Sequence, residues 1–215
     1  MQHHSSRAFQ AAAPVSALAS AVPTRPVLGL PVVDATTEQT VAALLEGSAR
    51  SVFFLNAHCA NLRARDRSYA AALARADMVL PDGIGVELAA RMTGTNLTEN
   101  LNGTDFTPAL LRRAARQGLS VFLFGAKPGT AEAAARKLAT TIPGLRIAGT
   151  LDGYDGAADS DRAVAAINAS SADILLVAMG VPMQEMWIDR HLDVLSPRLV
   201  LGVGALFDFL AGNVR

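Results

Sequence analysis

The chain has 215 residues, of which 51% are apolar and 18% charged, and its 19 basic residues balance its 19 acidic ones. At about 150 residues per domain, this length predicts one folded domain with a short extension. The apolar content excludes a disordered chain, and the lack of a basic excess argues against a nucleic-acid partner. The single cysteine, Cys59, excludes an internal disulfide and is typical of a reducing compartment.

Residues 1–26 differ in composition from the rest of the chain. The stretch AFQAAAPVSALASAVPTRP is rich in alanine, is interrupted by prolines, and has neither strand nor helix periodicity. We therefore expect a flexible tail over residues 1–26 and one domain over residues 27–215. A secretory signal is the alternative, because ALAS resembles a cleavage site, but the apolar part is mostly Ala, Ser and Val, with Arg7 as the only early cation.

From Val27 onward, short apolar runs alternate with alanine-rich helical patterns. Many of the runs are continuously apolar, which is typical of parallel strands buried on both faces. The predicted strands cover residues 27–34, 51–56, 77–80, 120–125, 145–150, 173–180 and 198–204. The predicted helices cover residues 36–45 (or 37–45), 60–76, 85–92, 106–117, 130–141, 159–169, 182–192 and 205–210. This alternation predicts right-handed βαβ units in an α/β fold.

Polar residues and glycines follow directly after most of the predicted strands. The carboxyl ends of parallel strands share one edge of a sheet, where ligands bind. We therefore expect these residues to converge on one site although they are far apart in the chain. They are Asn56, His58, Asp82, Gly83, Gly85, Gly125, Lys127, Gly129, Asp152, Gly153, Tyr154, Gly180, Gln184, Glu185, Gly204 and Asp208.

Three of these turns indicate possible chemistry. The turn from Gly125 to Gly129 offers backbone N–H groups to a phosphate, although it matches neither a P-loop nor GxGxxG, and an ordinary strand-to-helix turn is the alternative. Asp82 is suited either to capping the next helix or to acting as a general base. Glu185 is explained by the helix dipole alone, whereas the Gln184 amide is suited to recognising a sugar or a nucleobase.

A metal site is not predicted. His58 and Cys59 are adjacent, but no further His or Cys lies at a spacing that would complete a ligand set.

The sequence motifs, in their order and spacing, resemble those of the WecG/TagA/CpsF family of bacterial glycosyltransferases. The matching segments are LNAHCANL with ARADMVLPDGIGVELAAR, NGTDF, VFLFGAKPGTAEAAARKL, GVPMQE and GVGALFDFLAG. The resemblance implies a Rossmann-like three-layer α/β/α domain with a mostly parallel sheet. It also implies an inverting transfer of N-acetylmannosamine, its uronic acid or glucose from a UDP-sugar to a polyprenyl-diphosphate-linked sugar, without a metal or other cofactor, in surface polysaccharide synthesis.

The same resemblance assigns roles to individual residues. It places Asp82 at the position of the proposed catalytic base, with Asn56 and Gln184 lining the sugar-nucleotide pocket. Gly125 and Gly129 correspond to the glycine turn that faces the nucleotide, and Asp105 and Asp208 to acidic positions of structural role. The further substrate-binding residues expected on this basis are Gly83, Gly85, Asn100 and Glu185.

The chain departs from the family pattern in three ways. Phe54 stands where the family usually has threonine, and Asn100 stands where many members have arginine. The sequence stops at Arg215, so the basic, amphipathic C-terminal segment that contacts the membrane in the family is expected to be lacking. The resemblance implies a cytoplasmic protein peripheral to the inner face of the membrane, with association into homo-oligomers and no nucleic-acid partner.

Two other functions are compatible with an α/β fold. A nicotinamide-dependent oxidoreductase would need GxGxxG at the first helix and an acidic residue about 20 positions later, and the sequence shows neither. A non-catalytic module that binds a nucleotide sugar or a partner is the second alternative, to which the stop at Arg215 and the departures at Phe54 and Asn100 lend some support, because a fold does not fix an activity.

Overall fold

The computed structural model of the protein describes residues 22–48, 50–153 and 159–214. Its strands are β1 (Thr24–Val27), β2 (Leu30–Val33), β3 (Ser51–Leu55), β4 (Met78–Pro81), β5 (Ser120–Gly125), β6 (Arg146–Leu151), β7 (Ile174–Ala178) and β8 (Leu199–Gly202). Its helices are α1 (Thr37–Glu46), α2 (Ala57–Arg63), α3 (Arg67–Arg75), α4 (Ile84–Met92), α5 (Gly103–Arg116), α6 (Thr130–Thr141), α7 (Ser160–Ala169), α8 (Met183–His191) and α9 (Leu206–Ala211).

All eight strands form one sheet in the order β1-β2-β4-β3-β8-β7-β5-β6. Every neighbouring pair is parallel except β1 and β2, which pair antiparallel. The central strands β3, β5, β7 and β8 are buried along their whole length, as their continuous apolar runs predict. These observations confirm the predicted three-layer α/β/α fold with a mostly parallel sheet.

The two faces of the sheet carry separate apolar cores, because successive side chains of a strand point to opposite faces. In β3, Val52 and Phe54 belong to one core, and Phe53 and Leu55 belong to the other. The first core is covered by α1, α5, α6 and α9. The second core is covered by α2, α3, α4, α7 and α8.

The segment 27–34 is a hairpin, so the prediction of a single strand is wrong there. Leu28 and Gly29, with φ of 51° and 74°, form the turn between β1 and β2. Thr24 to Pro26 pair with residues 31–33 and the side chain of Val22 is 5% exposed, so the folded chain begins before the expected boundary at residue 27. The part of the expected tail over residues 1–21 lies outside the described residues, and so does Tyr154, which was expected at the edge of the sheet.

The predicted helix over residues 60–76 is likewise two helices, α2 and α3. The Asp66 carboxylate accepts hydrogen bonds from the backbone N–H groups of Ser68 (2.8 Å) and Tyr69 (3.0 Å). A side chain that caps the first turn of a helix in this way starts a new helix, so the chain changes direction at Asp66.

The path of the chain after each strand creates openings at the carboxyl edge of the sheet. After β3 and β7 the chain passes to α2 and α8 on one face, and after β8 it passes to α9 on the other face. Since β8 lies between β3 and β7, the connections diverge on both of its sides. Such points of divergence are where open α/β sheets bind ligands.

Candidate active site

Two clefts lie at this edge, one on each side of the loop that follows β8. The smaller cleft, of about 240 Å³, contains Asp82 and opens between β3 and β8. The larger cleft, of about 540 Å³, contains Lys127 and opens beside β7 and β5. Gly204 and Ala205 line both clefts, so this loop forms their common wall.

Asp82 and Asn56 meet in the smaller cleft because they follow neighbouring parallel strands. Asn56 Nδ2 donates a hydrogen bond to Asp82 Oδ2 at 3.2 Å. Asn56 Oδ1 accepts from the backbone N–H of Cys59 at 3.0 Å and so caps α2. The cap fixes the carbonyl end of the amide, which leaves its NH₂ group to face Asp82. The predicted proximity of these two side chains is therefore observed.

The surroundings of Asp82 make its carboxylate a stronger base than an exposed aspartate. Burial raises the pKa of Asp82 above its ordinary value, against the opposing effect of hydrogen bonds from Asn56 and from the backbone N–H of Gly103. Gly103 is the first residue of α5, so the carboxylate also lies at the positive end of a 14-residue helix. Desolvation dominates these effects, and a proton is held more tightly as a result.

Asn100, Gly83 and Gly85 support the turn that carries Asp82. Asn100 Oδ1 accepts from the backbone N–H of Gly83 at 2.9 Å. Gly85 packs so closely on α2 that a Cβ added to it would lie 3.0 Å from Cβ of Ala57. These three residues therefore position Asp82, and none of them lines either cleft.

Gln184 lines the smaller cleft together with Asp82, whereas Glu185 lies behind it. Both side chains are almost fully buried, with 2% of Gln184 and 1% of Glu185 exposed. Gln184 Nε2 donates to Glu185 Oε1 at 2.8 Å, and Gln184 Oε1 accepts from the backbone N–H of Gly204 at 2.9 Å. Both ends of the Gln184 amide are thus bound within the protein.

The larger cleft contains a cation and a carboxylate, Lys127 and Asp208, on an otherwise apolar lining. Gly125 is buried behind it, where an added Cβ would lie 2.3 Å from the carbonyl oxygen of Ala178. The N–H of Ala126 donates to that same oxygen at 2.7 Å, so it is not free for an anion. Gly129 is exposed at the start of α6 and does not line the cleft.

Several lining residues had no role in the sequence analysis. Gly103 and Thr104 line the smaller cleft and belong to the NGTDF segment. Their position at the start of α5 could have indicated that they belong to the site. Met183 of α8 lines the larger cleft, and Phe209 of α9, which is 47% exposed, lines the smaller one. No local sequence pattern marks either residue as part of a site. Asp105 is bound to the N-cap residue Asn102 through its Oδ2 at 2.9 Å, which is a structural contact.

Residues 22–48, 50–153 and 159–214 contain neither a metal-ligand cluster nor a membrane-spanning helix. No three His, Cys, Asp or Glu side chains of these residues lie close enough together to bind a metal ion. Within the same residues, every helix is too short or too polar to cross a bilayer.

Comparison with known proteins identifies the family. Residues 25–215 match the model of the glycosyl transferase WecG/TagA/CpsF family. The N-acetylglucosaminyldiphosphoundecaprenol N-acetyl-beta-D-mannosaminyltransferase of Bacillus subtilis (strain 168) is 33% identical over 153 residues, which are 70% of this chain and 58% of that protein. The enzyme of the same name from Bacillus spizizenii (strain W23) is 34% identical over 147 residues, which are 68% of this chain and 56% of that protein. The matched region thus spans little more than half of these relatives, and the chain belongs to the WecG/TagA/CpsF family of glycosyl transferases.

Proposed function

We propose that this protein transfers N-acetylmannosamine from UDP to N-acetylglucosamine carried on a polyprenyl diphosphate, with inversion at the anomeric carbon. The family match and the names of the two Bacillus relatives support the acceptor and the transferred sugar. The uronic acid of N-acetylmannosamine and glucose are the alternative donor sugars. In this proposal the protein works at the inner, cytoplasmic face of the membrane that carries its lipid-linked acceptor.

Asp82 acts as the general base in this proposal. Its carboxylate takes the proton of the acceptor hydroxyl as that oxygen attacks the anomeric carbon from the side opposite UDP. Hydrogen bonds from Asn56 and from the backbone N–H of Gly103 hold the carboxylate in a fixed orientation before substrate binds. The raised pKa of Asp82 matches this role, because a base that binds its proton more tightly removes one more readily.

The two clefts suit the two parts of a UDP-sugar. The larger cleft has room for a nucleoside and places Lys127 where it can neutralise a diphosphate. The smaller cleft is suited to the reacting sugars, because it contains Asp82, Asn56 and Thr104. The anomeric carbon would then lie beside Gly204 and Ala205, where the clefts adjoin. UDP leaves into the larger cleft, and the acceptor enters beside Asp82.

The hydrogen bond between Asn56 and Asp82 in a cleft of this family's fold is the observation that carries the proposal. The test incubates the protein with UDP-N-acetylmannosamine and a short-chain polyprenyl-diphosphate-linked N-acetylglucosamine, and measures the product mass. UDP-glucose and the UDP-linked uronic acid are run in parallel to define the donor. Asp82→Asn is the matched inactive control.

Calorimetry distinguishes the other functions from a transferase. Binding of UDP together with product formation supports the proposal. Binding of UDP without transfer of any donor sugar identifies a UDP-sugar-binding module instead, for which the departures at Phe54 and Asn100 were the sequence argument. Binding of NAD in place of UDP identifies an oxidoreductase.

A further inference from the structure

The wall between the two clefts is held by a polar side chain that lies outside both of them. Glu185 is 1% exposed and lines neither cleft, yet its Oε1 accepts a hydrogen bond from Gln184 Nε2 at 2.8 Å. The other end of the same amide accepts from the N–H of Gly204, at 2.9 Å. Glu185 is thereby connected through one side chain to the loop that both clefts share.

The carboxyl oxygen decides which way the Gln184 amide points. An amide has a donating and an accepting end, and Glu185 Oε1 is an acceptor whereas the Gly204 N–H is a donor. Only one of the two orientations of the amide satisfies both partners. The reverse orientation would set NH₂ against N–H and oxygen against oxygen, with both pairs buried. A buried polar pair that loses its hydrogen bonds is strongly disfavoured, so the carboxyl group selects the observed orientation.

The second oxygen of Glu185 is buried without a hydrogen-bond partner, and so is the hydroxyl group of Tyr69. Cys59 of α2 and Tyr69 of α3 are the titratable groups that face Glu185 from the helices packed against it. Burial raises the pKa of Cys59 and of Tyr69, so both remain neutral near pH 7. Burial likewise raises the pKa of Glu185, to about 7. Glu185 is therefore the member of this cluster that changes charge near neutral pH.

We propose that Glu185 is a positioning residue, which touches no substrate and acts by holding the Gln184 amide so that it fixes Gly204 in the wall between the clefts. The effect on turnover rests on the proposed function, but the coupling of Glu185 to Gly204 does not. This gives Glu185 a role different from direct contact with the sugar nucleotide.

The test compares Glu185→Gln with Glu185→Leu in the full chain. The glutamine variant keeps an accepting oxygen of the same reach, whereas the leucine variant removes it at similar volume. The readouts are the amide resonance of Gly204 in a proton–nitrogen NMR spectrum and kcat and KM for the donor. We expect Glu185→Leu to shift the Gly204 resonance and to lower kcat/KM by about 10²-fold, the loss typical of misplaced groups. We expect Glu185→Gln to keep both close to those of the parent at a pH below the Glu185 pKa of about 7, where the parent carboxyl group is neutral.

A titration gives a second measurement that does not need the leucine variant to fold. In the parent, the Gly204 resonance should shift with a midpoint near the Glu185 pKa of about 7, and in Glu185→Gln this transition should be lost. His191 of α8, whose ring lies on Trp187 with centroids 4.7 Å apart, is present in both proteins, so it cannot account for a difference between them.

Three results would overturn the inference. One is a folded Glu185→Leu variant with an unchanged Gly204 resonance, and another is a Gly204 transition near pH 7 that persists in Glu185→Gln. The third is a folded Glu185→Gln variant as inactive as Glu185→Leu, since the carboxylate itself would then act on the substrate. A parent protein that transfers no sugar contradicts the proposed function alone, because the Gly204 resonance still tests the coupling.

Discussion

Asn56 donates to Asp82 Oδ2 at 3.2 Å with the NH₂ group of an amide whose oxygen caps α2. One side chain thus starts a helix and orients the carboxylate that follows the neighbouring strand. The orientation of Asp82 therefore depends on the backbone of α2 rather than on a flexible surface contact. A group held in this way before substrate binds needs less reorganisation during the reaction.

Asp82→Asn tests the base and should remove transfer without harming the fold. The loss of a general base is expected to lower kcat by about 10² to 10⁴-fold, because the acceptor hydroxyl keeps its proton longer. The asparagine oxygen can still accept from Asn56, so the cleft should keep its shape. The measurement is single-turnover transfer alongside UDP affinity. Parent-like transfer by the folded variant would show that another group takes the proton.

The same variant should be at least as stable as the parent at pH 7. Burial raises the pKa of Asp82 in the folded protein above its value in the unfolded chain, so stability falls as the pH rises through the interval between these two values. The parent should therefore lose stability relative to Asp82→Asn as pH rises from about 4 through the folded pKa. Urea unfolding of both proteins between about pH 3.5 and about pH 7 measures this difference. If the unfolding free energy of the parent rises relative to that of Asp82→Asn over this pH range, the desolvation argument is contradicted.

Lys127 should contribute to nucleotide affinity through charge. Lys127→Met is expected to weaken UDP binding about tenfold at low salt, since it removes a hydrogen-bonding cation from the larger cleft. Screening should reduce this difference at high salt. Lys137→Met is the matched control, because Lys137 is the other lysine of the chain and is exposed on α6. Calorimetry that gives the same loss for both variants would assign the effect to overall charge.

The elements that could be predicted from the sequence are those set by local pattern. The continuously apolar runs of β3, β5, β7 and β8 predict a parallel sheet, and this sheet brings Asn56 next to Asp82. The hairpin at Leu28 was missed because leucine rarely adopts a positive φ. The helix break was missed because the alanine-rich pattern continues across the cap at Asp66.

The contacts within the site were harder to predict than its location. The hydrogen bond from Gly204 to Gln184 joins the loop after β8 to the first turn of α8, and it depends on how α8 and α9 pack on opposite faces of the sheet. Periodicity in the sequence carries no information on such a contact. The sequence likewise marks Gly125 as part of a glycine turn. Only the packing against β7 shows that the position has no room for a Cβ atom.

Gly125→Ala should therefore destabilise the protein far more than Gly129→Ala. An added Cβ at Gly125 would lie 2.3 Å from the carbonyl oxygen of Ala178, so strands β5 and β7 would have to separate. Gly129 has a φ of 84° but nothing within 4 Å of an added Cβ, so only backbone strain of about 1–2 kcal/mol is expected. Urea unfolding of the two variants measures the difference. Equal losses would mean that the contact with Ala178 relaxes without cost.

Phe54 serves packing, and replacing it with the family's threonine should cost stability. Its side chain is 8% exposed, and its ring lies edge-on to Phe106 with centroids 6.1 Å apart. Phe54 also lines the smaller cleft, and Phe54→Thr removes the packed ring from its wall, for which we expect a loss of about 3 kcal/mol in the free energy of unfolding. Phe54→Leu, which retains most of the volume, is the control and should lose less. A threonine variant as stable as the parent would contradict this packing role.

Glu185 predicts a further dependence of stability on pH. Its pKa is raised from 4.5 to about 7 in the folded protein, because burial disfavours the charged form. The folded state therefore binds a proton that the unfolded state has already released between these values, so stability falls as pH rises through this window. At 1.36 kcal/mol per pKa unit, the loss approaches about 3 kcal/mol above pH 7.

Glu185→Gln removes this dependence, so its advantage over the parent in unfolding free energy should grow from pH 4.5 to 7 and then level off. Asp189→Asn, a change on the same helix, is the control. The guanidinium of Arg75 lowers the pKa of Asp189, so loss of that carboxylate should give no such rise across this window. If the difference in unfolding free energy between the parent and Glu185→Gln stays constant from pH 4.5 to 7, then Glu185 is charged in the folded protein over this whole range. The Gly204 resonance would then have no transition of Glu185 to report.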